Sequence, residues 1–490
     1  MADPQQHKTA PEDRVPVPQM IVYGMGAFVN NLLAGAIGGM MIVLNLGLGM
    51  NPALVGLLGA IPRFVDAITD PLMGYISDNT KSKWGRRRPY IFCGAIAVGI
   101  VFIALWQLPR GQSESFYFYY FLIGSLIFYV AYTIFATPWV ALGYEMTPDY
   151  HERTRLMGVQ NFIGQLAYFV PPWLLLAMQY EPLFGDMVEG AAGVAVVIGL
   201  FVIVVGVMPA IFLRERLKDI ADKEHDAHHA EKRSFWAATK ANVIDFVSGF
   251  AAALRFIPFL KLCIATFLIF NGFILISSFQ IYVLIYYVFG GDQALGAQYA
   301  GYAGTVSTFS TFAVIAFITW LSTKIGKRKA FAISTSISMF GYFLKWFCYN
   351  PEIPMLVLLP APFIAFGLGG LFTLMPSMMA DVVDLDELKT GERREGMYGS
   401  IYWWVVKLGM AVALAGGGFL LNATGFDVAL EGNQSEQTIL LLRLFDAGIP
   451  VIASGFAIWA VNSFGITQSR AREVRQELEK IRGASAPLPA

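Results

Sequence analysis

Between residues 61 and 78 the chain reads IPRFVDAITDPLMGYISD, an apolar run interrupted by Arg63, Asp66 and Asp70. An arginine or carboxylate at a bilayer centre costs about 2.5–3.5 kcal/mol on insertion scales, and such groups commonly mark a transport pathway. At about 100° per residue, a helix gathers Gly56, Gly59, Arg63, Asp66, Asp70 and Gly74 within an arc of about 80°. Thr69 stands beside Asp66, while Leu57, Leu58, Phe64, Val65, Ile68 and Leu72 cover the other faces. Two readings follow: a packing seam with a structural salt bridge, or a cation site facing a water-filled cavity. Na⁺ prefers several hard oxygens, and Asp66, Thr69, Asp70 and Thr133 could supply them. A proton needs only one suitably perturbed carboxylate, so the oxygen count leans towards Na⁺ and leaves H⁺ open.

A second set of residues complements the first. In GSIYWWVVKLGMAVALAGGG, Ser400, Trp403, Lys407 and Ala411 share a helical face, with Lys407 near mid-span. Left unpaired, Arg63, Asp66, Asp70 and Lys407 would together cost on the order of 10 kcal/mol, as much as a whole protein's stability. The sequence therefore predicts that they converge, Arg63 and Lys407 being the charge partners of the two acids. A cation competing for the carboxylates would then shift the balance between two conformations, which is coupling. Lys345, in GYFLKWFCYN, lies nearer a span end; the reading is that it snorkels to the surface, with a gate contact as the alternative.

These residues need elements to hold them, and composition says which. The 490 residues are 56% hydrophobic and 14% charged, against about 45–50% and about 25% in soluble domains. That points to a multi-pass membrane protein, with the lipid bilayer as its solvent; the plasma membrane is the expected location. Net charge is zero, so nothing suggests nucleic acid. Cys93, Cys263 and Cys348 lie in apolar runs; an odd count argues against a disulfide framework, and they read as buried small hydrophobes. The first apolar run is longer than the roughly 7–15 residues of a leader's core, so no cleavage is expected.

Spans of about 20 apolar residues fall at 19–48, 53–77, 89–108, 116–145, 156–180, 192–213, 257–289, 297–323, 330–349, 354–382, 397–422 and 438–467. Basic residues crowd the loops after spans 2, 4, 8 and 10, among them Arg86, Arg87, Arg88, Arg153, Lys327, Arg393 and Arg394. Acids dominate the opposite loops, so both termini are predicted to be cytoplasmic. KWGRRRPYI after span 2 has a counterpart in KIGKRKAFA after span 8, six spans later. GYEMTPDYHERTRLMG and ADVVDLDELKTGERREGMYG form a second such pair. The expected fold class is an all-α membrane protein: twelve transmembrane helices in two pseudo-symmetric six-helix bundles, as in alternating-access carriers. The predicted parts are a tail at 1–18, bundles at 19–213 and 257–467, a linker at 214–256 and a tail at 468–490.

In the linker, Phe235, Trp236, Val243, Phe246, Val247 and Phe250 suggest a surface amphipathic helix. His225, His228 and His229 lack the Cys or carboxylate pattern of a metal site and read as solvated. In the tail, Val474, Leu478 and Ile481 predict a short helix docked on the bundle. Asp78 with Arg86, Arg87 and Arg88 sets topology and predicts a cytoplasmic gate, Asp78 pairing with an arginine or a helix N-terminus. Asp381, Asp384 and Glu387 opposite Arg393 and Arg394 form the expected second latch. No nucleophile–base pair, metal cluster or phosphate loop is evident, so an enzyme is not expected. A non-transporting sensor would need a larger soluble domain.

The stretch DAITDPLMGYISDNTKSKWGRRRPYI resembles the span 2–3 signature of the glycoside–pentoside–hexuronide:cation symporters, a branch of the major facilitator superfamily. YGMGAFVNNLL, YTIFATPW and WWVVKLGMA resemble the same family at matching places, so the likeness covers nearly the whole chain. It implies a major facilitator fold and cation-coupled symport of a sugar or glycoside, with no cofactor beyond Na⁺ or H⁺. On that pattern Asp66, Thr69 and Asp70 match cation-binding positions, and Lys407 matches the span 11 lysine. The acids that melibiose permease carries on spans 1 and 4 align with Asn31 and Ala136, and residues 156–213 hold no arginine to match its span 5 sugar contact. The remaining candidate cavity residues are Tyr23, Asn30, Asn31, Trp139, Gln160, Asn161, Gln165, Asn271, Gln280 and Trp403, suited to a neutral sugar or glycoside. An amphiphile such as a lysolipid is the rival substrate, because a vertebrate lysolipid carrier keeps a similar D-x-x-T-D pattern. A monomer is expected.

Overall fold

The computed structural model describes residues 13–78, 80, 82–147, 149–213, 215, 255–391 and 394–484. Among them every regular element is helical. The principal helices are α1 (Val17–Met40), α2 (Pro52–Asp78), α3 (Arg88–Leu105), α4 (Glu114–Glu145), α5 (Tyr150–Leu166) and α6 (Met187–Gly206). The chain continues with α7 (Ile257–Tyr282), α8 (Gln293–Ile325), α9 (Lys327–Cys348), α10 (Ala361–Thr390), α11 (Glu395–Ala423), α12 (Glu436–Asn462) and α13 (Gln468–Ala484). Ten helical stretches among the described residues are long and apolar enough to cross a membrane. The expected spans at 53–77 and 330–349 correspond to α2 and α9, which carry charge inside. The protein is an integral, multi-pass membrane protein. All-helical spans are what lipid demands, since no water is present to satisfy an exposed peptide group.

Several helix starts are fixed by a side-chain cap. Ser113, Asp149, Asp186, Asp292 and Ser435 accept the N–H three residues on, opening α4, α5, α6, α8 and α12. Such a cap satisfies one of the amides that a helix N-terminus leaves orphaned. Pro138, Pro376 and Pro450 sit inside α4, α10 and α12.

The chain forms two compact units, Met1–Met50 with Ile61–Phe235, and Asn51–Ala60 with Trp236–Ala490. In the first, α3 packs on α4 and α6, and α1 on α5. Gly99 and Gly199 bring α3 and α6 together: a methyl on either would stand 2.8 Å from the other's carbonyl oxygen. Small residues at such contacts let membrane helices approach closely.

In the second unit, α7 packs on α11 and α12, and α9 on α10 and α12. Its core includes Phe259, Phe331, Leu371, Met375, Tyr398 and Ile401. The first turns of α2 belong to this unit, and there Gly56 would carry any methyl to 2.6 Å from the Leu414 carbonyl. The glycine end of the predicted polar face is thus a packing seam. In α13, Val474 and Leu478 are buried in the same core, whereas Ile481 is exposed. The expected linker helix and its histidines lie outside the described residues.

Candidate functional site

The site is built on α2 and α4 of the first unit. The (i, i+3, i+4) spacing of Asp66, Thr69 and Asp70 puts all three on one face of α2, as two turns of helix require. Thr133 of α4 is the hub: its hydroxyl lies 2.9 Å from Asp70 Oδ1, 3.3 Å from Asp66 Oδ1 and 3.2 Å from Thr69 Oγ1. Thr137, one turn on, adds a hydroxyl 3.3 Å from Asp70 Oδ1. Asp66 and Thr133 are buried, while Thr69 and Asp70 are half-buried. A hydroxyl has one proton, so Thr133 donates to one carboxylate at a time and offers lone pairs to anything else.

Carboxylate and hydroxyl oxygens from two helices therefore converge within hydrogen-bond reach of one atom. That donor set is hard and all-oxygen, which suits an alkali cation or a proton and not a soft transition metal. Among the described residues no group of three or more His, Cys, Asp and Glu side chains gathers as a metal cluster. Arg63, on the turn before Asp66, places its guanidinium 4.9 Å from the centre of the Tyr129 ring, a cation–π contact. Lys407 sits half-buried in the middle of α11, in the second unit.

Replacing Thr133 by alanine removes the hub while leaving both carboxylates. A hydrogen bond to a charged group is worth about 1.5–3 kcal/mol. The expected result for Thr133→Ala is a roughly 10- to 100-fold weaker apparent cation affinity. Cation titration of ligand-binding fluorescence checks it.

The candidate substrate residues divide by what they touch. Tyr23 and Trp139 are buried, their rings stack at 5.2 Å, and the Trp139 indole N–H donates to the Tyr23 carbonyl at 3.2 Å. Their polar atoms are thus engaged in α1–α4 packing. Asn31 donates to the Gly164 carbonyl at 3.0 Å, tying α1 to α5. Asn30 accepts from the Tyr132 hydroxyl at 2.7 Å, so Tyr132, which stands beside Thr133 and which sequence reasoning passed over, ties the α1 asparagines to α4. Gln160 and Gln165 are half-buried on α5, and Asn161 is exposed. Asn271 donates to the Phe267 carbonyl of its own helix, Gln280 is half-buried, and Trp403 is exposed.

The predicted gate residues of the first unit form one network. Arg87 bonds Asp78 at 2.7 Å, and Arg86 and Arg87 both bond Glu145 Oε1 at 2.7 Å. The carboxylate of Glu215 accepts the backbone N–H groups of Arg86, Arg87 and Arg88 at the start of α3, where a helix N-terminus favours an anion. Arg88 caps another helix end by donating to the Ala210 and Ile211 carbonyls. Glu145 and Glu215 were not singled out in sequence; each stands at a helix end in a stretch with many charges.

In the second unit the latch residues meet partners that the sequence reading did not name, and one expectation is corrected. Arg394 forms a bidentate pair with Asp386 at 2.7 and 2.9 Å, and Asp381 pairs instead with Lys327 at 2.7 Å. Gly391, with φ 75°, turns the chain back so that Arg394 meets Asp386, the buried acid of the run. Arg393 lies outside the described residues. Lys345 does not snorkel: its side chain is 1% exposed and its ammonium bonds Asp446 of α12 at 2.7 Å. A buried partner removes the reason to reach for the surface.

Comparison with known proteins follows this geometry. Residues 22–468 match the sequence profile of the family described as MFS/sugar transport protein. The chain is 22% identical to the isoprimeverose transporter of Lactiplantibacillus pentosus, over 84% of this chain and 81% of that one. It is 23% identical to a putative glycoside/cation symporter, YagG, of Escherichia coli (strain K12), over 89% of each chain. Among solved structures, a bacterial homologue of the human lysosomal transporter Spinster, inward-facing and unoccupied, has a similar fold. Its TM-score is 0.67 at 15% identity, covering 93% of this chain and 98% of that one.

Proposed function

The chain belongs to the MFS/sugar transport protein family, and on that premise we propose that it is a secondary active transporter. It couples the entry of a cation, Na⁺ or H⁺, to the uptake of a sugar or glycoside by alternating access. One observation carries the reading: Asp66, Thr69, Asp70 and Thr133 bring carboxylate and hydroxyl oxygens together around a single hydroxyl between α2 and α4. Such groups are expensive in lipid and are kept for ion pathways. The names of the relatives, an isoprimeverose transporter and a putative glycoside/cation symporter, support the same substrate class.

In this reading the cation binds among the α2 and α4 oxygens, and Arg63 acts as a charge partner of the two aspartates. Tyr132, bonded to Asn30, links that site to the amides of α1, so cation occupancy biases the groups that orient a sugar. Twelve spans, cytoplasmic termini, a plasma-membrane location and a monomeric carrier complete the proposal. Its activity is transport, with no covalent chemistry of its own.

The experiment is a thermal-stabilisation screen of sugars, glycosides and lysolipids, with and without Na⁺ and across pH. A ligand stabilises by RT ln(1 + [L]/Kd), about 2.7 kcal/mol at a hundredfold excess over Kd. The expected result is a sugar or glycoside that stabilises more strongly when the coupling cation is present. Stabilisation by lysolipids alone would move the substrate to the amphiphile class.

A further inference from the structure

The second unit holds a charged pair that the cation site does not use. Lys345 of α9 and Asp446 of α12 meet at 2.7 Å with side chains 1% and 3% exposed. Removing two charges from water costs several kcal/mol per ion, and well-packed apolar residues often do the structural task as well or better. A small cavity with a mixed polar and apolar lining reaches Tyr342, beside the pair. Tyr342, one turn before Lys345, lines this cavity of about 10 Å³ with Ser338, Thr335, Ser454 and Pro450. That is room for about one water, in a lining that offers it hydroxyl partners. Because residue 450 is proline, the helical N–H that would bond the Asp446 carbonyl is missing.

From this geometry we propose that Asp446, with Lys345 as counter-ion, is a proton-exchange site of the second unit, hydrated through Tyr342 and Ser338. Protonation forms an O–H bond on the Asp446 carboxylate and breaks one on a hydronium in the hydrated path, releasing water. Lys345 is left as a buried ammonium without its anion, so acid loosens the clasp between α9 and α12. The other ionisable groups around the pair are few. On α9 they are Tyr342 and Cys348, and just past its end Tyr349, whose ring lies 5.0 Å from the Lys345 ammonium. On α12 it is Arg443, whose guanidinium stacks at 4.0 Å on Tyr287 and 4.4 Å on Trp346. The segment after α7 adds Tyr286 and Tyr287. The α7 and α10 residues lining the cavity, including Ile269, Phe273 and Leu368, carry no ionisable group.

The test is infrared difference spectroscopy of the full-length protein in lipid nanodiscs, between acidic and neutral buffer. The wild type is expected to show the carbonyl stretch of a protonated buried carboxyl group. That band is lost in Asp446→Asn and retained in Asp66→Asn. The neutral replacement Lys345→Met/Asp446→Leu, which keeps the packing and removes both charges, serves if the single variant does not fold, and it too loses the band. An unchanged band in the Asp446 variants, or no acid-dependent carboxyl band in the wild type, overturns the proposal and leaves the pair a structural clasp. The Asp66 comparison keeps this outcome separate from the cation site in the first unit.

Discussion

Asp70→Asn is expected to bring gradient-driven accumulation to background while exchange of substrate across the membrane survives. Asp70 Oδ1 accepts from both Thr133 and Thr137, so the carboxylate joins α2 to two successive turns of α4. Asparagine keeps the shape and a carbonyl acceptor but removes the negative charge that a cation must meet. In water-poor surroundings that charge dominates: two unit charges 4 Å apart attract by about 4 kcal/mol at an effective dielectric of 20. Loss of that term is worth roughly a thousandfold in cation affinity. Asp66→Asn, at the more deeply buried carboxylate, has the same direction. Proteoliposomes with an imposed cation gradient measure accumulation, and counterflow without a gradient measures exchange. Loss of both activities alike would assign the aspartate to folding or to substrate binding. Full gradient-driven uptake in both variants would remove coupling from this site.

The second large effect falls on stability. Glu145→Gln leaves Arg86 and Arg87 facing each other without the carboxylate oxygen that both now share. Their side chains are 14% and 8% exposed, and that of Glu145 is 10%. Removing one partner of a buried pair costs about 3–5 kcal/mol, because the remaining charge stays desolvated. Arg87 keeps Asp78, so the lower end of that range applies. The expected result is a clear drop in the thermal unfolding midpoint in detergent. Arg86→Ala, which leaves Glu145 paired with Arg87, should lower it less. Equal midpoints for Glu145→Gln and wild type would mean that the network contributes nothing to the folded state.

The residues that sequence reading located well are those whose partners lie within one helical face. Asp66, Thr69 and Asp70 are separated by three and four positions, and helical geometry alone brings them together. Thr133 was reachable as a hydroxyl donor on span 4, although hydroxyls elsewhere in the spans, such as Thr266 and Thr305, bond back to their own helix. The charged network of the first unit was legible in part: Asp78 and the arginines were named from their loop, and Arg87 does bond Asp78. Glu145 was missed because it stands 59 residues from Arg86, and no periodicity reports a pairing between different helices.

Lys345 and Asp446 teach the same lesson more sharply. They are 101 residues apart, so no local periodicity pairs them, and sequence suggested snorkelling for Lys345 and nothing for Asp446. The glycines of α2 were read together with its charges as one polar face. The packing separates them, with Gly56 against the α11 backbone and Asp66 and Asp70 against the α4 threonines. Tyr23 and Trp139 were legible as aromatic residues at the right depth. That their polar atoms are spent on each other's helix depends on a stacking geometry that composition does not carry.

The central claim is that cation entry drives solute uptake. It is tested most directly by loading proteoliposomes of the wild-type protein with low-cation buffer and diluting them into high Na⁺ or acid with a labelled sugar or glycoside. The prediction is transient uptake above the equilibrium level under one of the two gradients, collapsing when an ionophore dissipates that gradient. Uptake that only approaches equilibrium, at the same rate with and without either gradient, would contradict the account.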